Sequence, residues 1–296
     1  MKKIIALVLA LLMVGAVLAG CGEKKEDTAS KADEASAAET EAATEAEATE
    51  AEITEAPNVE GADADVAYIT EKGTLLVGVT DFEPMDSKDS SGEWVGFDAD
   101  MAKEFGEYLG VSVEFVEIDW DNKILELNNK NIDCVWNGMT LTKDVQAAMS
   151  TSVAYCNNAQ VVVVNADKAD DYKTAEDCKE LNFAVESGSA GQEMAEENEF
   201  LFTEVKDQAT ALMEVAAGTA DAAIIDSLMA AAMVGEGTGY EQLTYTVKLN
   251  SEEYGVGFRK GSDLTEKFNE FFKQATEDGT VDDIAELYGI QAALIK

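Results

Sequence analysis

The chain has 296 residues, with 60 Asp and Glu against 21 Lys and Arg and no His, and a formal net charge of −39 at pH 7. That balance argues against nucleic acid and against an anionic lipid surface as direct ligands. The missing imidazoles remove His-based triads, His metal sites and imidazole general bases, and neither a metal nor a cofactor is expected.

The N-terminal stretch MKKIIALVLALLMVGAVLAG places Lys2 and Lys3 before an apolar run that ends in small residues, the pattern of a secretory signal over 1–20. The run is slightly short for a comfortable membrane span, and no stop-transfer charges follow it. The closing LAGC resembles the lipobox of bacterial lipoproteins, which implies lipidation of Cys21 and attachment to the outer face of the cell membrane. An uncleaved anchor, or a plain secretory signal with a chance Cys, is the alternative. Residues 22–64 are dominated by Ala, Glu and Thr, with no aromatic side chain. Such a segment cannot bury enough surface to offset its ordering entropy. Together with Cys21 it is expected to be a disordered acidic tether, with a flexible reach of about 35–40 Å.

The rest of the chain is long enough for one large domain or two lobes. It stays acidic, with 47 Asp and Glu against 16 Lys and Arg over 61–296. Strands are expected at 74–80 (TLLVGVT), 111–118, 132–138 (IDCVWNG), 159–165 (AQVVVVN), 182–188 (NFAVESG), 221–226 (DAAIID) and 252–261. Helical spacing of apolar residues appears over 96–110, with Gly110 just past its end, and again over 209–219 and in two closing helices. The stretches NKILELNNKN, SAGQEMAEEN and SLMAAAMVGEG add short helices. Alternation of strands and helices predicts an α/β fold with mostly parallel sheet. Ligands of such sheets sit beyond the carboxyl ends of the strands, which makes Thr80–Asp81, Trp120, Asn137–Thr142, Glu186–Ala190 and Asp226 the candidate walls of a site. Cys134, Cys156 and Cys178 form no CxxC pair. Cys134 reads as a small core residue, and a bridge between Cys156 and Cys178 is conceivable without support from spacing.

The stretch GEWVGFDADMAKEF resembles the signature of the polar-amino-acid-binding proteins of ABC importers. EIDWDNKILELNNKNIDCVWNGMTLT, FAVESGSAG, AGTADAAIID and EEYGVGFRKGSDLTEKFNE follow in that family's order. The resemblance implies a two-lobed, periplasmic-binding-protein-like fold that closes like a Venus flytrap about two hinge strands. Lobe 1 would be residues 66–158 with a return segment 254–296, and lobe 2 residues 159–253. It implies roles residue by residue. Asp81 would lie near the ligand's ammonium, and Phe82 and Trp120 would cover the ligand with their rings. Asn137 and Thr140 would supply polar side chains and Gly138 a backbone carbonyl. Ser189 and Ala190 would receive a carboxylate at a helix N-terminus, and Asp226 would hold the α-ammonium. Glu186 falls where side chains line the pocket for the ligand's own side chain. Each has a plainer reading: Phe82 and Trp120 as core, Asp81 and Asp226 as caps. Trp136 points opposite to Asn137 on a strand and reads as packing.

The family's carboxylate-gripping Arg, three residues after T-x-T, is here Val145, and the sole Arg of the chain, Arg259, lies in the return strand. A bidentate guanidinium is among the strongest single contacts, and Lys does not reproduce its geometry. Two expectations stay open: an amino acid held by the helix N-terminus with Asn137 and Thr140, aided by Lys123 or Lys143, or a cationic amine without a carboxylate. The expected function is a lipid-anchored, monomeric solute-binding protein for an ABC permease. It is not an enzyme; a carboxylate-based dehydratase on the same fold and a sensor domain are the rivals.

Overall fold

A computed structural model describes residues 54–296. The expected signal, Cys21 and residues 22–53 of the expected tether lie outside the described residues. Residues 54–64 lie against the body. Ala56 N donates to Ala147 O (3.0 Å), Val59 N donates to Lys260 O (2.8 Å), and Ala62 is buried.

Two five-stranded sheets form two α/β lobes. The first has the order Ser112–Glu117, Thr74–Val79, Cys134–Val135, Gly257–Phe258, Ser150–Thr151. The second has the order Leu201–Val205, Asn182–Glu186, Ala222–Asp226, Gln160–Asn165, Leu243–Lys248. Each sheet has two parallel ladders followed by two antiparallel ones. The expectation of mostly parallel sheet is therefore corrected to mixed sheets. The reason is the chain's path. It crosses between the sheets twice, through Cys156–Asn158 and Glu252–Tyr254, which pair antiparallel with each other. Strands entering a sheet next to a crossing run against those built by strand–helix–strand units.

The local reasons for these elements are legible. Val161–Val164 is a β-branched run buried on both faces, which suits a central strand of a covered sheet. Phe97–Leu109 buries Phe97, Met101, Ala102 and Phe105 along one face and stops at Gly110, whose φ of 73° is a left-handed C-cap. The returning helix Leu264–Asp278 buries Leu264, Phe268, Phe271 and Phe272. Its Phe268 meets Phe105 and Trp136 edge to face, with ring centroids 5.5 Å and 4.9 Å apart. That contact fixes the C-terminal segment on the first lobe and makes Trp136 core packing.

Arg259 is fully buried. Its Nε donates to Asp65 Oδ2 at 2.9 Å, and its Nη1 donates to the carbonyls of Leu127 and Ile132. It knits the helix Asp65–Lys72 to the first sheet. Cys134, Cys156 and Cys178 are buried and unpaired.

Candidate functional site

The carboxyl edges of both sheets face one cavity of about 480 Å³. The first lobe contributes Thr80, Phe82, Trp120, Lys123, Asn137, Gly138, Thr140 and Val145; the second contributes Glu186, Ser189, Ala190, Gln208 and Asp226. Nine of the ten residues singled out from the sequence line this space. The tenth, Asp81, is exposed and outside the lining. Although the residue is exposed, partial desolvation of its carboxyl by neighbouring atoms, then the charges of Asp207 and Glu117, raise its pKa above the ordinary range.

The wall from Asn137 to Thr140 is set by buried carboxylates. Asn137 Oδ1 accepts from Thr80 N (3.0 Å) and Thr80 Oγ1 (2.7 Å), while its Nδ2 donates to Thr80 O (3.0 Å) and Asp86 Oδ2 (2.7 Å). The amide is thereby saturated inward. Asn137 shapes the wall, and its side chain is already committed within the lobe. Gly138 follows with φ 54°, and a Cβ there would sit 2.3 Å from the Phe82 ring. Only Gly fits under that ring. Gly138 N donates to Asp98 Oδ2 at 2.6 Å, and the same oxygen accepts from Tyr155 OH at 2.8 Å. Asp98 comes from GFDAD, so that motif positions the wall from behind. Thr140 Oγ1 donates to Glu252 Oε1 at 2.9 Å.

Phe82 and Trp120 are both buried, at 2% and 7% exposure, and both face the cavity. Lys123 is the one basic residue of the lining, against seven carboxylates. Its Nζ donates to Trp120 O (3.2 Å) and to Gly188 O (2.8 Å), and it lies 4.9 Å from the centroid of the Trp120 ring. Burial lowers its pKa, opposed by Glu186, Asp121 and Glu193. Lys123 thus ties one lobe to the other. At that tie Gly188 (φ 72°) passes so close that a Cβ would stand 2.7 Å from Asp121 Cα.

Opposite lies Asp226, 4% exposed. It sits at the N-cap position of the helix Ser227–Met233 without making a side-chain cap bond. Its carboxylate instead accepts from Tyr254 OH (2.6 Å), Gln160 Nε2 (3.1 Å), Asn158 Nδ2 and Gln208 Nε2. Gln208 also accepts from Asp226 N at 2.8 Å, which locks the side chain's direction. Burial first, and Glu252 second, raise the Asp226 pKa. Glu252 shares the Asn158 and Gln160 amides, accepting from them at 2.6 Å and 2.8 Å. The crossing strands therefore carry the polar shell around Asp226. None of Asn158, Gln160, Gln208, Glu252 and Tyr254 was singled out from the sequence. The available signal was polar side chains interrupting apolar strands, in CNNAQ and NSEEYG.

Ser189 caps the helix Ala190–Glu197. Its Oγ accepts from Gln192 N (3.2 Å) and donates to Glu186 O (2.7 Å). Ser189 and Ala190 bring that helix end to the cavity wall, and the free N–H groups of a helix's first turn favour an anionic group there. Val145, 6% exposed, lines the cavity on the helix Lys143–Ala148, which Thr142 caps by accepting from Val145 N at 3.3 Å.

The sequence is similar over 223 residues to the L-cystine-binding protein TcyJ of Escherichia coli K12, at 27% identity, covering 74% of this chain and 83% of the relative. A solved ABC uptake transporter substrate-binding protein from Streptococcus pneumoniae with bound histidine is 27% identical, with a TM-score of 0.71, covering 78% of this chain and 98% of that one. The arginine-bound form of truncated ArgBP from T. maritima is 32% identical, with a TM-score of 0.66, covering 70% of this chain and 99% of that one. The matched relatives are binding proteins, not enzymes. The model of the bacterial extracellular solute-binding proteins, family 3, matches residues 75–291, and the chain belongs to that family.

Proposed function

We propose that the chain captures a small nitrogenous solute, an amino acid or close derivative, and delivers it to an ABC importer by hinge closure. The observation that carries this reading is a cavity walled by both lobes, with aromatic rings on one side and Asp226 on the other. Phe82 and Trp120 cover the solute, and Asp226 holds its ammonium. A ring face over a desolvated cation contributes about 2 kcal/mol. The carboxylate goes to the N–H groups at Ala190 and Gly191, at the start of the capped helix. Relatives named for cystine, or solved with histidine or arginine, support the amino-acid class.

The lobes in this reading are 66–158 with 254–296, and 159–253. The crossing strands Cys156–Asn158 and Glu252–Tyr254 are the hinge. Solute bridging the lobes shifts the population to the closed form, which the permease recognises. Lipidation at Cys21, with 22–53 as tether, keeps the monomer at the outer face of the membrane.

A second reading keeps the same role for a cationic amine without a carboxylate. Val145 in place of a gripping Arg, and a Lys123 committed to two carbonyls, favour it. Calorimetric titration with L-lysine, L-norleucine and cadaverine separates the two. Binding of L-lysine but not cadaverine supports the amino-acid reading; binding of cadaverine alone replaces it with the amine.

A further inference from the structure

We propose that Glu186 receives a second positive group of the solute, so that the preferred solutes carry a basic centre beyond the one held by Asp226. The inference rests on the solute-capture reading above and deepens it. Glu186 ends the strand Asn182–Glu186, which runs parallel beside Ala222–Asp226. The two carboxylates therefore stand at the same edge, on neighbouring strands, and both line the cavity. Their surroundings differ. Asp226 is held by four donors. Glu186 is 2% exposed and its Oε1 has no hydrogen-bond partner. Asp65, Asp86 and Asp98 also keep one unpartnered buried oxygen, but of these four carboxylates only Glu186 lines the cavity, where a solute can reach it.

Lys123 acts on Glu186 through its charge, but gives no hydrogen bond to Oε1. Lys123, the one cation there, gives its ammonium to Trp120 O and Gly188 O. Gln208, engaged at both ends with Asp226, also interacts with the Glu186 carboxyl, but leaves Oε1 without a partner. An incoming ammonium or guanidinium would supply the missing partner at Oε1. The rest of the lining, with Glu193, Glu196 and Glu204, keeps the local potential negative and makes that end of the cavity hostile to an anionic or merely apolar side chain.

The test is calorimetry on the full chain with L-lysine and L-norleucine, which share a carbon skeleton and differ by the terminal ammonium. The wild type is expected to prefer L-lysine by at least about tenfold, as close buried charge pairs do. In Glu186→Gln the preference should fall to within about threefold, whereas a Glu186 that acts as a neutral hydrogen-bonding group would leave it intact. A retained preference in the variant overturns the proposal, and so does a wild type that binds both equally. The wild-type ratio needs no variant, and a cooperative thermal transition certifies that Glu186→Gln is folded. If neither amino acid nor cadaverine binds the wild type, the solute-capture reading fails and takes this one with it. If L-norleucine binds as well as L-lysine, only this one fails.

Discussion

Lys206 Nζ lies 2.7 Å from Glu117 Oε1, and the pair joins the flanks of the two lobes, one residue beyond the strand Leu201–Val205 and at the end of Ser112–Glu117. Lys88 Nζ approaches the other oxygen of Glu117 at 2.8 Å. Hydrogen bonds from Lys206 and then Lys88 hold the Glu117 carboxyl down at about 2. These side chains are substantially exposed, and such pairs contribute about 0–1 kcal/mol. Lys206→Ala is therefore expected to weaken L-lysine affinity by no more than about fivefold. The difference should vanish in titrations at 1 M salt, where the screening length is roughly 3 Å. A larger loss that survives high salt would mean that the pair does more than bias closure.

Asp226 is the residue whose loss should matter most. Asp226→Ala removes a buried carboxyl facing the cavity together with the acceptor for Tyr254, Gln160, Asn158 and Gln208. L-lysine affinity is expected to fall at least about 100-fold, since truncating one partner of a buried charge pair costs 2–5 kcal/mol or more. Circular dichroism should show an unchanged fold, because the carboxylate's neighbour Glu252 still engages Asn158 and Gln160. Unchanged affinity would show that the solute's ammonium sits elsewhere.

Val145→Arg tests where the solute's carboxylate lies. Val145 lines the cavity on the first turn of the helix Lys143–Ala148. A guanidinium added there offers a bidentate partner to a carboxylate and nothing to an amine. The preference for L-lysine over cadaverine is expected to rise by about tenfold or more. An unchanged preference in a folded variant would place the carboxylate away from that wall.

The pH dependence follows from the buried carboxyls. Burial, then Asp226 and Asp207, push Glu186 up to about 8 from an ordinary 4.5. Its native pKa exceeds its unfolded value, so the folded state holds more protons through that window. The associated stability is present below about pH 4.5 and is lost as pH rises through about 8. Asp226 is shifted the same way. The thermal midpoint is expected to be higher at pH 5 than at pH 8.5, and Glu186→Gln should reduce the gap. An arriving cation favours the charged forms and releases protons. L-lysine titrations near pH 7 should then show heats that scale with buffer ionisation enthalpy; buffer-independent heats would contradict proton release.

Much of this site was legible because strand ends are local signals. TLLVGVT, NFAVESG and DAAIID are apolar runs that break into polar residues, and each break lies on the cavity wall at Thr80, Glu186 to Ser189 or Asp226. The sheets' mixed direction was not legible, because Gly257–Phe258 and Ser150–Thr151 are two-residue strands set by the crossings rather than by periodicity. Leu201–Val205 and Leu243–Lys248 also escaped notice: their exposure alternates or wanders at sheet edges, and their polar residues mask the pattern. The saturation of Asn137 by Thr80 and Asp86 is a contact between residues more than fifty positions apart, which no local pattern encodes. Asp81 adjoins Phe82 in sequence but is exposed and stands outside the lining, a difference that no local pattern encodes.

A basic solute between the lobes is expected to place its ammonium on Asp226. A crystal structure of the protein saturated with L-lysine tests it most directly. The α-ammonium nitrogen is expected within about 3 Å of the Asp226 carboxylate, inside the cavity faced by Phe82 and Trp120. Solute bound outside that cavity, or inside it with Asp226 untouched, would contradict it.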